Sequence, residues 1–478
     1  MATEKFKQNE FQKHKGRLVA RGDQRRDKPT ELSETFAACF SYPTFGIVLN
    51  VILAQNLSWS IEDITNAYLN AHLPKTEKMD SVDILMKLEK SLVDLMAKID
   101  PSINAFRQRD GGVVVRLLKA LFGLQESAKL WRDEISGTLM DMGFKPNEAG
   151  DRSLFFRWDG DKLSLALLYV DDVLFAAPDA LLDKWRKGLA DKYQMGTSLR
   201  NPAEFTYVGV QVRYDAKDKS FLLSQPGMAK KIGDHVEGTE EMPTKGDLFQ
   251  ETDDTSLENS TEYRSWVMEL QYLARTRLDI KPTLAYLTTK CQSPTRGDMV
   301  KLQRLCRYVK GSIDYYCCVK PEGSLQVHAT ADASWGAFLD GKSVTGFAVG
   351  LGSTSNTPIN AKSQKQKAVG NSSTAAELIA LASVVEEVLW TIETMEYMGL
   401  PQASVLISQD NQSTMRLALK IPSGEGRTRW LNIKAFWISE YLENGKVTLK
   451  YVPSENILAD GLSKPLNKKQ FSSGELGS

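Results

Sequence analysis

Two aspartates side by side, Asp171 and Asp172, interrupt the apolar stretch LSLALLYVDDVLFAA (Leu163–Ala177). Adjacent carboxylates among apolar residues are unfavourable, because the charges repel and partial burial raises their pKa. A divalent cation removes both penalties, since Mg2+ prefers hard oxygen ligands. The same dipeptide at Asp253–Asp254 lies in a polar loop, where water suffices. The apolar flanks of Tyr169–Val170–Asp171–Asp172 are what ask for a metal. Phosphoryl transfer would need a further carboxylate, so that two metals about 4 Å apart clamp an attacking oxygen and a leaving phosphate. Asp63, in WSIEDITNAYLNAHL, is the candidate. Alone it could equally cap the following turn, and composition does not separate it from Glu62.

A second acidic set lies towards the C-terminus. Asp332 follows a strand-like run in HATADASWGAF, and Glu377 sits near the start of a helical segment. Asp410 follows VLIS, and Asp460 lies in ENILADGLSKPL. Each has a plain reading. Thr374-x-x-Glu377 fits a capping box, and Asp410–Asn411 and Asp460–Gly461 are ordinary turn pairs. Only a folded domain could bring the four together.

The elements that must position these residues follow from patterning. Residues 1–215 mix strand-like and helical stretches, and Leu163–Ala177 reads as two buried strands joined by a tight acidic turn. The polar run from Glu237 to Asn259 reads as a loop or linker. Residues 261–312 carry helical periodicity through Tyr263, Trp266, Leu270 and Leu273, then Leu302, Leu305 and Val309. A second strand-rich region begins near Leu325. It contains a helix from Thr374 to about Met398 that ends at Gly399–Pro401. The tail after Leu466 is polar. No internal repeat stands out.

The 478 residues are 42% apolar and 25% charged, an ordinary globular composition. At roughly 100–200 residues per domain, two to four domains are expected. Lys+Arg and Asp+Glu are both 60, so net charge gives no sign of a nucleic-acid partner. The first 30 residues nevertheless carry nine basic and four acidic side chains, an arm suited to phosphates or simply to solvent. Five cysteines with no CxxC pair, and four scattered histidines, define no zinc site. They fit free, mostly buried thiols in a reducing compartment. No signal peptide and no apolar run near the ~18 residues of a membrane span are present, so a soluble, intracellular protein without a membrane partner is expected. No GxxxxGK[ST] loop marks a P-loop phosphotransferase.

Several longer stretches then carry a resemblance. RLVARGD, ETFAACFSYPTFGIVLNVILAQNLSWSIEDITNAYLN, LLKALFGLQESAKLW and LLYVDD occur in the order seen in copia-type reverse transcriptases. SFLLSQPGMAKKI, YRSWVMELQYLARTRLDI and LQRLCRYVKGS continue it. TADASWG, GKSVTGFAVGLG, SQKQKAVGNSSTAAEL, SQDNQST and NILADGLSKPL resemble the ribonuclease H region that ends copia-type Pol polyproteins.

The resemblance implies an α+β multidomain fold, a right-hand polymerase followed by an α/β ribonuclease H-like domain with a mixed sheet. Fingers and palm are expected over 1–235, a linker and helical thumb or connection over 236–322, the ribonuclease H-like domain over 323–466 and a tail over 467–478. It implies RNA-directed and DNA-directed DNA synthesis together with cleavage of RNA in an RNA–DNA hybrid. Asp63, Asp171 and Asp172 become the polymerase aspartates, and Asp332, Glu377, Asp410 and Asp460 the nuclease ligands. Each site would take two Mg2+, with Mn2+ as a substitute. Tyr68 matches the aromatic under the incoming sugar, Phe122 and Gly123 the loop against nucleotide and template, and Lys15 and Arg17 contacts to the triphosphate. The implied partners are an RNA template, a DNA primer, deoxynucleoside triphosphates and the hybrid, with capsid and integrase encoded elsewhere. The implied location is a cytoplasmic virus-like particle, or the nucleus. The chain begins within the usual fingers, so a segment of a polyprotein or the product of a decayed element is expected. The alternative to an active enzyme is a catalytically weak relic that binds nucleic acid. The sequence departs from the pattern at Gln125–Ala128, where relatives usually have Lys-Gln-Ala-Pro.

Overall fold

The computed structural model describes residues 2–7, 10–16, 18–24, 35–74, 84–250, 253–352, 356–419 and 429–465. The polymerase-like half is built on a six-stranded sheet. Its strands are β1 (Ser58–Ile64), β2 (Lys145–Pro146), β3 (Leu154–Asp159), β4 (Lys162–Tyr169), β5 (Asp172–Ala177) and β6 (Met195–Arg200). Their spatial order is β6-β1-β5-β4-β3-β2. Helices α1 (Tyr42–Ala54), α2 (Ser127–Asp141) and α3 (Asp179–Ala190) accompany this sheet. Two short antiparallel pairs, Ala2–Lys7 with Glu10–Gly16 and Leu85–Leu88 with Val113–Arg116, stand apart from it.

Residues Leu163–Ala177 form two buried antiparallel strands with the acidic turn between them, as their apolar run predicts. The two-residue loop is Val170–Asp171, closed by the pair Tyr169 and Asp172. Val170 takes φ 53°, the left-handed conformation that tight hairpin turns demand and that a β-branched residue resists. Two bonds hold it there. Trp131 on α2 donates its indole N–H to Val170 O at 2.5 Å, and Ile64 N–H donates to Asp171 O at 2.9 Å.

A second sheet contains β7 (Glu204–Tyr207), β8 (Val210–Asp215), β9 (Ser220–Ser224) and β10 (Cys317–Val319). Between β9 and β10 run α4 (Pro226–Gly233), α5 (Thr261–Leu273), α6 (Lys281–Thr289) and α7 (Arg296–Gly311). These helices share one apolar cluster through Tyr263, Leu270, Leu287, Leu302 and Leu305, the positions flagged by the 3.6-residue period among them. The polar 237–259 stretch has no long element but contributes buried Leu248 to that cluster. Strand β10 returns from the helical segment to pair with β9, so the sheet closes across the expected division at 235/236.

The C-terminal half is a five-stranded mixed sheet of β11 (Val327–Ser334), β12 (Val344–Leu351), β13 (Asn360–Lys365), β14 (Val405–Gln409) and β15 (Val447–Tyr451). Its order is β13-β12-β11-β14-β15, antiparallel among the first three and parallel from β11 to β14 and from β14 to β15. Helix α8 (Ser373–Tyr397) covers it, followed by α9 (Gln412–Leu419), α10 (Arg429–Glu443) and the single turn α11 (Asp460–Ser463). The N-cap of α8 is Ser372, whose side chain accepts from Ala375 N–H. Thr374-x-x-Glu377 is therefore not the capping box its spacing suggests.

The two halves share a core. Helix α1 is buried from Thr44 to Ile52 on every side, as a predominantly apolar helix must be. It packs against β4 and β5 on one side and β10 and β13 on the other. One continuous apolar cluster runs from Phe45 and Leu49 through Leu165 and Phe221 to Val384 and Ile407. Polar contacts pin the same surface. Asn356 Nδ2 donates to Asn50 Oδ1 at 2.7 Å, Asn147 Nδ2 to Thr394 O at 2.8 Å, and Trp158 Nε1 to Met398 O at 2.8 Å. Gly46 leaves little room for a side chain, because a Cβ there would lie 3.1 Å from Ile359 Cβ.

All five cysteines are free, yet only Cys306 is fully buried and Cys39 is exposed. That is less burial than their apolar settings suggest. No helix among the described residues is long and apolar enough to cross a membrane.

Candidate active sites

In the polymerase-like half, strand register does the positioning. Strands β1 and β5 are antiparallel neighbours, and Asp63 is paired directly with Asp172. Directly opposed side chains on adjacent strands share a face of the sheet, so the two carboxylates come together with Asp171 beside them at the turn. Alternation along β1 sends Glu62 to the other face. There it is buried and bound to Arg186 Nε on α3 at 2.9 Å. That pairing separates the two acids where composition did not.

Charge crowding is visible at Asp172, whose pKa is pushed up to about 7 by burial and then by the negative charges of Asp171 and Asp63. The neighbouring strand β6 carries an extra residue opposite Asp63, since Gly196 and Thr197 lie between Met195, paired with Ile64, and Ser198, paired with Glu62. Bulges of this kind re-aim side chains. Here Gly196 leaves the space that the Asp63 carboxylate fills, since a Cβ would sit 2.0 Å from Oδ2. Gly196 gave no signal in the sequence reading.

Tyr68 and Phe122 meet with ring centroids 4.8 Å apart. Burial raises the Tyr68 pKa, and Asp171 adds to the effect, which places this ring beside the acidic turn. Gly123 has φ 93°, and a Cβ there would lie 2.0 Å from Ala20 O. Phe122 O in turn accepts from Ala20 N–H at 2.7 Å. Ala128, in the first turn of α2, stands where the copia-type pattern has proline, and Ser127 Oγ ties the preceding loop by donating to Leu121 O at 2.7 Å. Arg17 lies outside the described residues. Lys15 is placed only as backbone, in the strand Glu10–Gly16.

In the C-terminal half, Asp332 on β11, Glu377 on the second turn of α8 and Asp410 at the end of β14 converge. Their carboxylate oxygens all lie within 4.8 Å of one another. Among the described residues this is the one such group of three or more His, Cys, Asp or Glu ligands. Such a set fits a divalent cation, because hard oxygens on short side chains can meet at one point. Burial raises the Glu377 pKa, and the charges of Asp332 and Asp410 raise it further. Burial also raises that of Asp332, while Lys464 and Ser463 pull it back. Three supports fix the group. Gln409 Nε2 donates to Glu377 Oε2 at 3.4 Å, Ser454 Oγ to Asp410 Oδ2 at 2.6 Å, and Ser463 Oγ to Asp332 Oδ2.

Asp460 reaches this centre differently. Gly346, the β12 partner of Asp332, lets α11 lie directly on the sheet, because a Cβ would be 2.7 Å from Ser463 N. Asp460 is buried there and paired with Lys464, whose Nζ also lies 3.9 Å from Asp332 Oδ2. The fourth carboxylate is thus next to the trio but already holds a cation. Lys464 and Ser463 follow Asp460 in the same motif and were legible only as neighbours. Trp335, three residues beyond Asp332, is half-exposed and anchored by its indole N–H to Gly370 O at 2.9 Å.

The chain thus carries a pair of opposed aspartates beside a strained hairpin and, on a separate mixed sheet and its covering helix, a carboxylate trio suited to a metal. Residues 1–245, which include the first of them, match the family described as reverse transcriptase (RNA-dependent DNA polymerase). The chain belongs to that family. It is 29% identical over 471 residues to the retrovirus-related Pol polyprotein from transposon RE1 of Arabidopsis thaliana, covering 96% of this chain and 30% of that one. It is 22% identical over 473 residues to the corresponding polyprotein from transposon TNT 1-94 of Nicotiana tabacum, covering 96% and 33%. The copia-type resemblance therefore extends along nearly the whole chain, while the chain spans about a third of the length of those relatives. Among solved structures it is similar to the foamy viral protease-reverse transcriptase in complex with RNA/DNA hybrid. The TM-score is 0.48 and the identity 14%, over 87% of this chain and 46% of that one.

Proposed function

We propose that this chain is an RNA-directed, and also DNA-directed, DNA polymerase with a C-terminal ribonuclease H activity, and that it copies retrotransposon RNA into DNA. The observation that carries the reading is the register pairing of Asp63 with Asp172 inside the reverse-transcriptase match. A second carboxylate centre on another sheet of the same chain extends it. Asp63, Asp171 and Asp172 would hold Mg2+ in the first centre. Asp332, Glu377 and Asp410, with Asp460 alongside, would hold it in the second. Bound there, two Mg2+ ions per site, or Mn2+, supply Lewis-acid charge to a phosphoryl oxygen and an activated oxygen nucleophile.

The rest falls to the chain's own groups. Tyr68, packed at an angle against Phe122, forms the floor beneath the incoming sugar and blocks a 2′-hydroxyl. The Phe122–Gly123 loop lies against nucleotide and template, with Lys15 and Arg17 on the triphosphate. Glu377, its pKa raised by burial and then by its acidic neighbours, keeps a proton until a cation offsets those effects. Ser463 and Gln409 orient the carboxylates. The partners are an RNA template, a DNA primer, deoxynucleoside triphosphates and the resulting hybrid, which is read by shape, phosphates and 2′-hydroxyls.

Primer extension on poly(rA)·oligo(dT) with Mg2+ tests the first activity. The unaltered chain should extend the primer, and the Asp171→Asn, Asp172→Asn double variant should not; full extension by that variant would overturn the assignment. For the second, the whole chain should cut the RNA of a hybrid and lose this with Glu377→Gln. Equal cutting of double-stranded RNA would count against it.

A further inference from the structure

A cavity of about 400 Å3 opens where the two halves and the helical segment meet. Tyr42, at the start of α1, contributes to one wall, Tyr272 and Arg275 from the end of α5 to a second, and Ile359 beside β13 to a third. Lys281, the first residue of α6, also lines it. This volume lies within the range of small-molecule sites. No aspartate or glutamate is among its lining residues.

Two cations face this space without an acid. Among the described residues, neither Arg275 nor Lys281 forms an ion pair with a carboxylate. Arg275 instead lies over the Tyr272 ring, 4.5 Å from its centroid. Lys281 has the Cys317 thiol as its charge neighbour, and burial lowers its pKa to about 8. Burial also pushes that thiol up to about 12, so it is neutral and offers no negative charge. Lys281 further opens a nine-residue helix, where the positive end of the helix dipole disfavours a cation. Both side chains are partly buried, and a partly desolvated positive charge with no acid beside it is unfavourable. An anion in the cavity would satisfy Arg275 and Lys281 together.

We infer that this cavity is a binding site for a phosphate group, with Lys281 and Arg275 as its ligands. The tyrosine and aliphatic walls would receive the sugar or base attached to that phosphate. None of the residues of the two carboxylate groups lines this cavity, and the inference does not depend on the polymerase reading. The phosphate can come from a free mononucleotide or from the backbone of a nucleic acid crossing the junction. The chemistry is the same, and the test separates the two sources.

The test uses the full chain in EDTA, so that neither carboxylate centre recruits phosphate through a metal. Inorganic phosphate, dAMP and an RNA–DNA hybrid are titrated in turn by calorimetry or anisotropy, and binding to the unaltered chain is compared with the Lys281→Gln, Arg275→Gln double variant. A free-nucleotide site predicts saturable dAMP binding, competed by phosphate, that weakens about tenfold or more in the double variant. A backbone site predicts no dAMP binding. Hybrid affinity would fall instead, and its salt dependence would flatten by about one to two phosphate contacts. Lys281→Arg should retain binding in either case, which separates loss of charge from misfolding. The inference is overturned if none of the three probes binds in EDTA, if the double variant binds like the parent, or if Lys281→Arg loses as much as Lys281→Gln.

Discussion

Asp63 and Asp172 are register partners on antiparallel neighbours, so two negative charges face each other across one strand gap. The Asp172 pKa of about 7 is one result. Between about pH 4 and 7 the folded chain keeps a proton here that the unfolded chain has released. The metal-free protein must therefore lose stability as pH rises through that window. After discounting for its partial exposure, Asp172→Asn should stabilise the metal-free chain by on the order of 1–2 kcal/mol at pH 8 and flatten the decline. Urea midpoints at pH 5 and 8 in EDTA check this. A variant that is less stable than the parent at pH 8 would refute the crowding.

Lys464 occupies the position of a counter-ion between Asp460 and Asp332. Replacing it with Met should destabilise the metal-free chain by about 1 kcal/mol, a modest figure because the ammonium is partly exposed. It should also tighten Mn2+ binding about three- to tenfold by removing a competing positive charge. Mn2+ titration followed by EPR reads the second effect, and weaker binding would show that Lys464 supports the ion instead of competing with it.

Tyr68 rests on Phe122 beside the acidic turn. Tyr68→Val should raise ribonucleotide incorporation relative to deoxynucleotide on the order of 10- to 100-fold, with a smaller change in deoxynucleotide use. Single-nucleotide extension with each triphosphate measures the ratio; an unchanged ratio would mean the ring is only packing.

The junction between the halves predicts dependence of one on the other. Asn50→Ala removes one of the two acceptors of the buried Asn356 amide and should cost about 1–3 kcal/mol, read from denaturant unfolding. A chain ending at residue 322 would uncover the apolar side of α1 that meets β13. It should show no cooperative transition of its own, and a soluble, cooperatively folding product would contradict the shared core.

Much of this was open to reading from residues alone, and the limits have physical causes. The Leu163–Ala177 hairpin was legible because an apolar run broken by two acids has few other solutions. The α8 helix was legible from its long 3.6-residue period, but its cap was not, because Ser372 and Thr374 have similar chemistry and only geometry chooses between them. Asp63 and Glu62 could not be told apart until strand alternation put Arg186 against one of them. Gly196, Gly346 and Lys464 were invisible for a shared reason. Each acts through the approach of a segment distant in sequence or through empty space, and neither leaves a periodic trace. The burial of α1 between two sheets is of the same kind.

The bond between Asn50 and Asn356 joins positions 306 residues apart. A ribosome adding about 5–20 residues per second needs roughly 15–60 s to cover that distance. Throughout that interval the apolar flank of α1 waits for a cover not yet synthesised, and exposed surface of that sort promotes aggregation. Chaperone capacity and elongation speed should therefore govern the yield of active protein in cells more than its final stability does. Slower growth temperature or added holdase would be the first remedies to try in producing it.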